Sequence, residues 1–445
     1  MLSFYRVTVA FVAALIISLV LPSSTAFAKD AYSKLLDLNS RGVEYYNSGD
    51  YAKAMKFFEK ALKLDPTSVV SLNNMGAVYL KLNDREKALE YFDKSIKVAF
   101  GPHAYDSRVA TAYNLRGSMY FKEADYDNAL ENFRKAFELN PNDDSVLNNL
   151  AVAYRDTDNQ DPQDWKRLGV AYYNTRNYDK AVEYFNKAFE ISAEDGSALK
   201  SIGSIYFNQG NYDKAIEYCR KALEINPENA EWWSDLGDSY FSLEDYKAAA
   251  DSYETALKTA PNETPYWKKL GLAFYNLKNY DRAIDCQKKA FELSPADASA
   301  LDSIGSIYYN RENYDAAIEY YKKALEVDSK YAKSWRNLGN VYFFNLEDYE
   351  QAASCYEKTL EFDSNDEVSC KNLSESYKKL SEMFKAAGDD SKATEFSIKS
   401  SKAGIKASHI AIYNGLNRTT NLAGKSMGGL LKTGVDSTQI KENLT

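Results

Sequence analysis

Glycine returns every 34 residues along most of this 445-residue chain. Gly42 and Gly76 are one step apart, and Gly169, Gly203, Gly237, Gly271, Gly305 and Gly339 follow in unbroken steps of 34, with Gly117 between the two series. Twelve residues after each glycine stands an alanine, from Ala54, Ala88 and Ala129 to Ala283 and Ala317; Ala352 comes one residue late. Three residues after each glycine stands an aromatic ring, Phe274 in one unit and tyrosine in the others. Much of the chain's excess of tyrosine, 36 residues, is therefore periodic. A period of this length marks a stack of small units, each too small to bury its apolar face alone.

One unit, 230–263, shows the local physics. Trp233, Leu236, Gly237 and Tyr240 recur at spacings of three and four, which is one face of a helix. Asp245 then stands where its carboxylate caps a second helix. Ala249, Tyr253 and Ala256 share a face of that helix, and Pro261 ends it. Asp or Asn holds the capping place in every unit, at 50, 84, 125, 177, 211, 245, 279, 313 and 348. Glycine inside a helix costs about 1 kcal/mol against alanine. Its recurrence implies close packing, with Gly237 and Ala249 leaving room for two helix backbones to approach.

A 34-residue helix–turn–helix with this Trp/Leu/Gly/Tyr, Ala/Phe/Ala and Pro pattern resembles the tetratricopeptide repeat. The resemblance covers nine units: 35–68, 69–102, 110–143, 162–195, 196–229, 230–263, 264–297, 298–331 and 332–366. A degenerate tenth follows, with Cys370, Leu373 and Tyr377 in place and Ser374 where glycine is usual. The resemblance implies an all-α fold, an α-solenoid wound as a right-handed superhelix. It also implies a concave groove lined by positions 2, 5, 6, 9, 12 and 13 of each unit, and a non-enzymatic role in binding proteins or peptides.

The period breaks in two places. Residues 103–109 are an insertion between the second and third units, expected to lengthen a helix or a loop. Asp144–Tyr154 reads as a first helix, with Leu147, Leu150, Ala151 and Tyr154 at repeat spacing, but a partner helix is missing. A polar, acidic stretch follows instead, and a lone amphipathic helix is what the open end of an array needs. The expected organisation is a signal peptide at 1–28, then an array of three repeats with a capping helix at 29–155. An acidic linker at 156–164 leads into six repeats at 165–366, a degenerate repeat and C-terminal cap at 367–403, and a weakly ordered tail at 404–445. A single continuous superhelix with a local kink is the alternative.

The N-terminus carries the pattern of an export signal. Arg6 and the free amine give a positive start, Val7–Leu21 is uncharged and mostly apolar, and Pro22, Ser23 and Ser24 break the run. Ala26-Phe27-Ala28 supplies small residues at the cleavage positions, which makes Lys29 the mature start. An uncleaved anchor is the alternative, although the run is short of the roughly 20 apolar residues a span needs. The expected destination is the periplasm, the cell envelope or the exterior as a secreted protein, with no membrane insertion once the signal is removed.

Composition removes several chemistries. Lys and Arg number 55 against 64 Asp and Glu, a net charge of −9, which suits no general nucleic-acid binder. Two histidines make a histidine-rich metal site improbable, and four cysteines cannot build a disulfide framework. Cys219, Cys286, Cys355 and Cys370 read as buried thiols, with a Cys355–Cys370 bridge as the alternative. Gly424-Lys425-Ser426 imitates a phosphate loop, but Thr419 stands where that motif needs glycine. No catalytic residue, cofactor, metal or small-molecule substrate is implied.

The groove positions are where binding is expected. Position 12 carries Tyr46, Leu80, Phe121, Tyr173, Phe207, Phe241, Tyr275, Tyr309 and Phe343, an aromatic ladder suited to a peptide or partner helix. Position 5 carries Asn39, Asn73, Asn114 and Asn148 in the first array, with Asn74 and Asn149 at position 6. Amides that donate and accept suit a peptide backbone, and peptide-binding members of the family use asparagine in this way. In the second array position 5 becomes Lys166, Lys200, Ser234, Lys268, Asp302 and Arg336, with Lys371 beyond. Groove positions carry more basic than acidic side chains, opposite in sign to the whole chain, so an acidic partner segment is expected. Arg336, Asn340 and Asn372 match part of the carboxylate clamp of one family subtype, but the third unit of that clamp is missing. The rival role implied by similar repeats is an accessory subunit of envelope polysaccharide or export machinery.

Overall fold

The computed structural model describes residues 22–99 and 108–426. These form 21 α-helices and, among the described residues, no strand. In chain order they are α1 (Pro22–Asn47), α2 (Tyr51–Leu64), α3 (Val69–Lys81), α4 (Arg85–Ala99), α5 (Val109–Lys122), α6 (Tyr126–Leu139) and α7 (Asp144–Asp156). Then come α8 (Pro162–Asn174), α9 (Tyr178–Ile191), α10 (Ser197–Asn208), α11 (Tyr212–Ile225), α12 (Ala230–Ser242), α13 (Tyr246–Thr259) and α14 (Thr264–Asn276). The last are α15 (Tyr280–Leu293), α16 (Ala298–Asn310), α17 (Tyr314–Val327), α18 (Ala332–Phe344), α19 (Tyr349–Phe362), α20 (Glu367–Ala386) and α21 (Asp390–Ser426).

Every second helix starts where the capping residue predicts. Asp50 accepts from the Lys53 amide at 3.1 Å, Asp245 from Ala248 at 3.0 Å and Asp348 from Gln351 at 3.1 Å, and the other units repeat the bond. The two helices of a repeat then close on an alanine. Ala54, Ala88, Ala129, Ala181, Ala215, Ala249, Ala283, Ala317 and Ala352 are all fully buried. The glycine of the first helix faces a side chain rather than the partner backbone. A Cβ on Gly237 would stand 2.5 Å from the Tyr253 ring, and a Cβ on Gly76 would run into Phe92. In repeat 264–297 Gln287 takes the place of the ring, 2.6 Å from a Cβ on Gly271. The recurrent glycine is thus a seat for the side chain that fills each hairpin.

Contacts divide the chain into two compact units, one ending at Ile205 and one beginning at Tyr206, so the boundary falls within α10. In the first unit, Phe92, Ile96, Val109, Ala112, Met119 and Val146 form one continuous core across repeats. First helices of successive repeats also touch: α1 with α3, α3 with α5 and α5 with α7. In the second unit, Tyr253, Leu257, Leu270, Phe274, Leu301 and Ile304 do the same, and α16 touches α18.

The stretch from 156 to 164 lies inside the first unit and is a built joint. Asp161 caps α8 through the Gln163 amide at 2.9 Å, with Pro162 at the first turn, where its missing N–H is not needed. Buried Asp164 pairs with Arg134 at 2.5 Å and accepts from Asn159 at 3.1 Å. The Trp165 indole donates to the Asn159 carbonyl at 2.9 Å and meets Tyr154 edge-on. Here α8 follows α7 with no second helix between them and pairs with α9. It faces α6 and α7 across a cleft of about 290 Å³ lined by Arg134, Phe137, Leu150, Tyr154, Asp164 and Arg167. Burial pushes the Tyr154 hydroxyl up to about 12, against the opposing pull of Arg134.

At the N-terminal end the described residues begin at Pro22, within α1, so Ala26–Ala28 lie in a helix; the apolar segment Val7–Leu21 lies outside the described residues. At the other end, α21 continues through Gly404 to Ser426, where a weakly ordered tail was expected from 404; residues 427–445 lie outside the described residues. Gly404 is tolerated because it lies against Ser374, whose hydroxyl would be 3.3 Å from a Cβ. Ser374 and Ser400 exchange hydroxyl-to-carbonyl bonds of 2.8 Å each way, which replaces the usual glycine contact. The inserted segment is likewise outside the description except for Arg108 and Val109, and α5 begins at Val109.

Three substitutions test this account. The turn before each second helix holds one residue at positive φ: Glu244 at 63° and Ala124 at 58°, where Gly210 serves in another unit. Left-handed backbone costs about 1–2 kcal/mol for a residue with a Cβ. Ala124→Gly and Glu244→Gly should therefore raise the melting temperature. Asp245→Ala should lower stability by about 1 kcal/mol through loss of the cap. Thermal unfolding followed by circular dichroism reads both signs.

Candidate functional site

The position-12 rings do not stand alone. In the first unit Tyr46 meets Tyr51 at 5.7 Å between centroids, Phe121 meets Tyr126 at 5.4 Å and Tyr173 meets Tyr178 at 5.7 Å. In the second, Phe207 meets Tyr212 at 5.4 Å, Phe241 meets Tyr246 at 5.1 Å and Tyr275 meets Tyr280 at 5.9 Å. Tyr309 meets Tyr314 at 5.7 Å and Phe343 meets Tyr349 at 5.4 Å. Each contact is tilted or edge-on and joins the end of a first helix to the first residue of the second. Such a pair contributes about 0.5–1.5 kcal/mol beyond its buried area. The position-12 rings stay half-buried, so each latches its hairpin and keeps part of its surface in solvent.

Reading position 12 alone misses the second column of rings. The signal that finds it is the tyrosine directly after the capping Asp or Asn. The one repeat with Leu80 at position 12 has Arg85 in place of that tyrosine, so both rings are absent together.

The asparagines are placed inside the stack. Asn39 donates to the Leu35 carbonyl at 3.0 Å and accepts from the Ser71 hydroxyl at 3.0 Å, while the Asn74 amide reaches it at 3.4 Å. Asn73 donates to the Arg108 carbonyl at 2.8 Å, and Asn114 accepts from Asn149 at 2.9 Å. All three position-5 side chains are buried. Asn148 is exposed but accepts from the Tyr172 hydroxyl at 2.8 Å and from Lys180 at 2.7 Å. Position 5 thus faces the next first helix, and these amides tie one repeat to the next rather than standing open to a peptide backbone.

The basic groove is corrected in the same way. Lys166 pairs with Asp195 at 2.6 Å, Lys268 with Asp297 at 2.8 Å and Arg336 with Asp366 at 2.7 Å. These carboxylates sit in the turns that end each repeat, outside the groove positions, so counting groove positions alone misses them. Lys269 pairs with Asp238 at 2.7 Å, Lys333 with buried Asp302 at 2.9 Å and Lys371 with Glu367 at 2.5 Å. Lys200 also has a partner. Asp302 in addition accepts from Ser334 at 2.9 Å and Asn337 at 3.0 Å. The clamp-like residues are engaged too: Asn340 accepts from the Tyr356 hydroxyl at 2.8 Å and from Asn372 at 3.3 Å.

What remains open is the ladder itself and a set of clefts. One cleft of about 510 Å³ is lined by Leu257, Trp267, Arg282 and Cys286, and another of about 450 Å³ by Leu223, Trp233, Arg220 and Tyr240, one period earlier. At the joint, Gln163, Arg167 and Val170 of α8 look onto Phe137 and Pro141 across about 550 Å³. Cys355 and Cys370 are free and buried, so the bridge weighed from the sequence is not formed. Burial pushes the Cys286 and Cys355 thiols up to about 12.

The inter-repeat ion pairs set a pH dependence. Burial works to raise the Asp195 and Asp297 carboxyls, but hydrogen bonds from Lys166 with Ser197, and from Lys268 with Ser299, outweigh it and hold both at about 2. An ordinary aspartate titrates near 3.9. A carboxyl depressed in the folded state contributes stability above about pH 4 that disappears as the pH falls through about 2. Asp195→Asn with Asp297→Asn should lower the urea midpoint at pH 7, and the difference from wild type should vanish towards pH 2. A difference constant from pH 7 to 2 would contradict the assignment.

Comparison with known proteins agrees with this construction. Profiles described as tetratricopeptide repeat match residues 28–68, 57–90, 110–143, 162–195, 196–229, 234–298 and 332–366, and one described as TPR repeat matches 305–345. No curated protein sequence matches the chain. Among solved structures, MamA is 28% identical over 37% of this chain and 96% of its own, with a TM-score of 0.35. YrrB, reported as a TPR protein with an unusual peptide-binding site, is 23% identical over 46% of this chain and 97% of its own, with a TM-score of 0.36. The C-terminal part of a TPR repeat-containing protein from Cytophaga hutchinsonii is 19% identical over 58% of this chain and 99% of its own, with a TM-score of 0.44. The repeat profiles, the capped hairpins and the glycine seats together make this chain a member of the tetratricopeptide-repeat family.

Proposed function

We propose that the chain is an exported, non-enzymatic scaffold that holds a protein or peptide partner on its first-helix face. The observation that carries this reading is the ladder of half-open rings, Phe207, Phe241, Tyr275, Tyr309 and Phe343, at successive 34-residue steps in the second unit. Each ring is fixed from behind by a tyrosine, so little side-chain entropy is lost when a partner covers it. Most of the polar groups around the ladder in the second unit are already paired within the fold. The partner therefore docks on the rings mainly by apolar contact, and charge selects it less than the sequence pattern alone implies. Export rests on Arg6, the Val7–Leu21 run and Ala26-Phe27-Ala28. N-terminal sequencing of the native protein should begin at Lys29.

A photo-crosslinking amino acid placed at Phe241 or Tyr275 tests the docking face. Partner adducts should form there and not at Tyr218, which stacks on Tyr206 on the other flank of its hairpin. Phe241→Ala should weaken capture at least tenfold. Asp245→Ala, which loses a comparable amount of stability without touching a ring, should leave capture unchanged. Equal adducts at both faces, or equal losses with both variants, would overturn the reading.

A further inference from the structure

The last helix is longer than anything it packs on. α20 has 20 residues and α21 has 37, about 30 Å against about 55 Å at the helical rise. The two run antiparallel: the Ser381 hydroxyl bonds to the Ala393 carbonyl at 2.6 Å, Ser374 to Ser400 at 2.8 Å, and Cys370 clusters with Ala407 and Ile410. By Ile410 the pairing has nearly reached the start of α20 at Glu367. Helices in water draw most of their stability from packing an apolar face.

The face of α21 turned away from α20 is apolar at one fixed interval. Ile398, Ile405 and Ile412 are 52%, 58% and 61% exposed and seven residues apart. Ser401 and Ser408 fall between them, three residues after Ile398 and Ile405. Both serine hydroxyls turn back to their own helix, to the carbonyls of Ser397 and Gly404 at 3.0 Å each. Their donors are already satisfied, so covering them costs less than covering a free hydroxyl. Isoleucine and a small residue alternating at intervals of three and four is the seam a second helix packs into. One flank of the seam is basic, with Lys399, Lys402 and Lys406; of these only Lys399 has an ion-pair partner among the described residues, Glu395 at 2.7 Å.

We propose that this seam docks an amphipathic helix of a partner protein whose flank carries Asp or Glu. Charge decides between occupants. A second copy of this chain would set Lys402 and Lys406 against their own kind. The seam is one isoleucine wide for each two turns, narrower than the broad apolar face a helix lays into a membrane surface. An acidic-flanked helix meets both the isoleucines and the lysines. This surface is separate from the ring ladder, and the proposal stands whether or not the ladder binds.

The test uses the full chain and a labelled 28-residue designed helix with isoleucine and alanine alternating at seam positions and glutamate on its flanks. Fluorescence anisotropy should show binding at least tenfold tighter than for the same helix with lysine flanks. Ile405→Asp should weaken it at least tenfold with the circular dichroism spectrum unchanged, since that side chain is exposed. Lys402→Glu with Lys406→Glu should reverse the preference between the two probes. Equal binding of both probes, no binding of either, or an unaffected Ile405→Asp variant would overturn the proposal. So would sedimentation as an Ile405-dependent dimer, or flotation with vesicles of three parts phosphatidylcholine to one part phosphatidylglycerol that is lost in Ile405→Asp while the acidic probe does not bind.

Discussion

In eight of the nine repeats a side chain from the second helix lies over the glycine of the first, at the point where any Cβ would stand. That contact sets how closely the two helices approach, and the buried alanine twelve residues after the glycine completes the seat. Once the pair is closed at that distance, its remaining apolar edge has a fixed width and must be covered by the next pair. The 34-residue step, the continuous cores of both units and the regular spacing of the ring ladder follow from repeating one hairpin geometry. The tolerance is narrow for a ring but not for its chemistry: Phe58, Phe92 and Tyr253 occupy the seat equivalently, and Gln287 fills it without a ring at all.

The joint near 160 shows what happens when the repeat loses a part. A first helix without its second helix leaves an apolar edge along Phe137, Leu150 and Tyr154. The chain covers that edge with the first helix of the following repeat, anchored by Trp165 and by the buried Asp164–Arg134 pair. The same acidic composition that reads as a linker is, in three dimensions, a set of caps and counter-ions: Asp161 caps a helix, Asp164 neutralises an arginine and Asn159 bridges to it. Polar composition alone does not separate a solvated spacer from a polar joint, because both use the same residues.

The hairpins were legible because their signals are local and recur: a capping Asp or Asn, a glycine twelve residues before an alanine, a ring three residues after the glycine. The binding surface was less so, because its partners lie a whole repeat away. Lys166 reads as a free groove cation until Asp195, 29 residues on, closes on it. Asn39 reads as an open amide until Ser71 of the next first helix donates to it. Position 5 is shared between the groove and the seam between first helices, and burial rather than residue type decides which. The tyrosine that backs each position-12 ring was visible as a residue after eight of the nine caps but not as a partner, since nothing in one dimension says that the end of one helix meets the start of the next.

The most direct test is the sign of one substitution. Helix propensity alone says that Gly76→Ala should stabilise the chain by about 1 kcal/mol. The seat geometry says that it should destabilise by about 1–3 kcal/mol through overpacking against Phe92. The same substitution made in a Phe92→Ala background, where the ring is gone, should turn stabilising. A double-mutant cycle by urea unfolding reads both signs. Reversal between the two backgrounds is the predicted result; a Gly76→Ala effect that is the same with and without the ring would contradict the account.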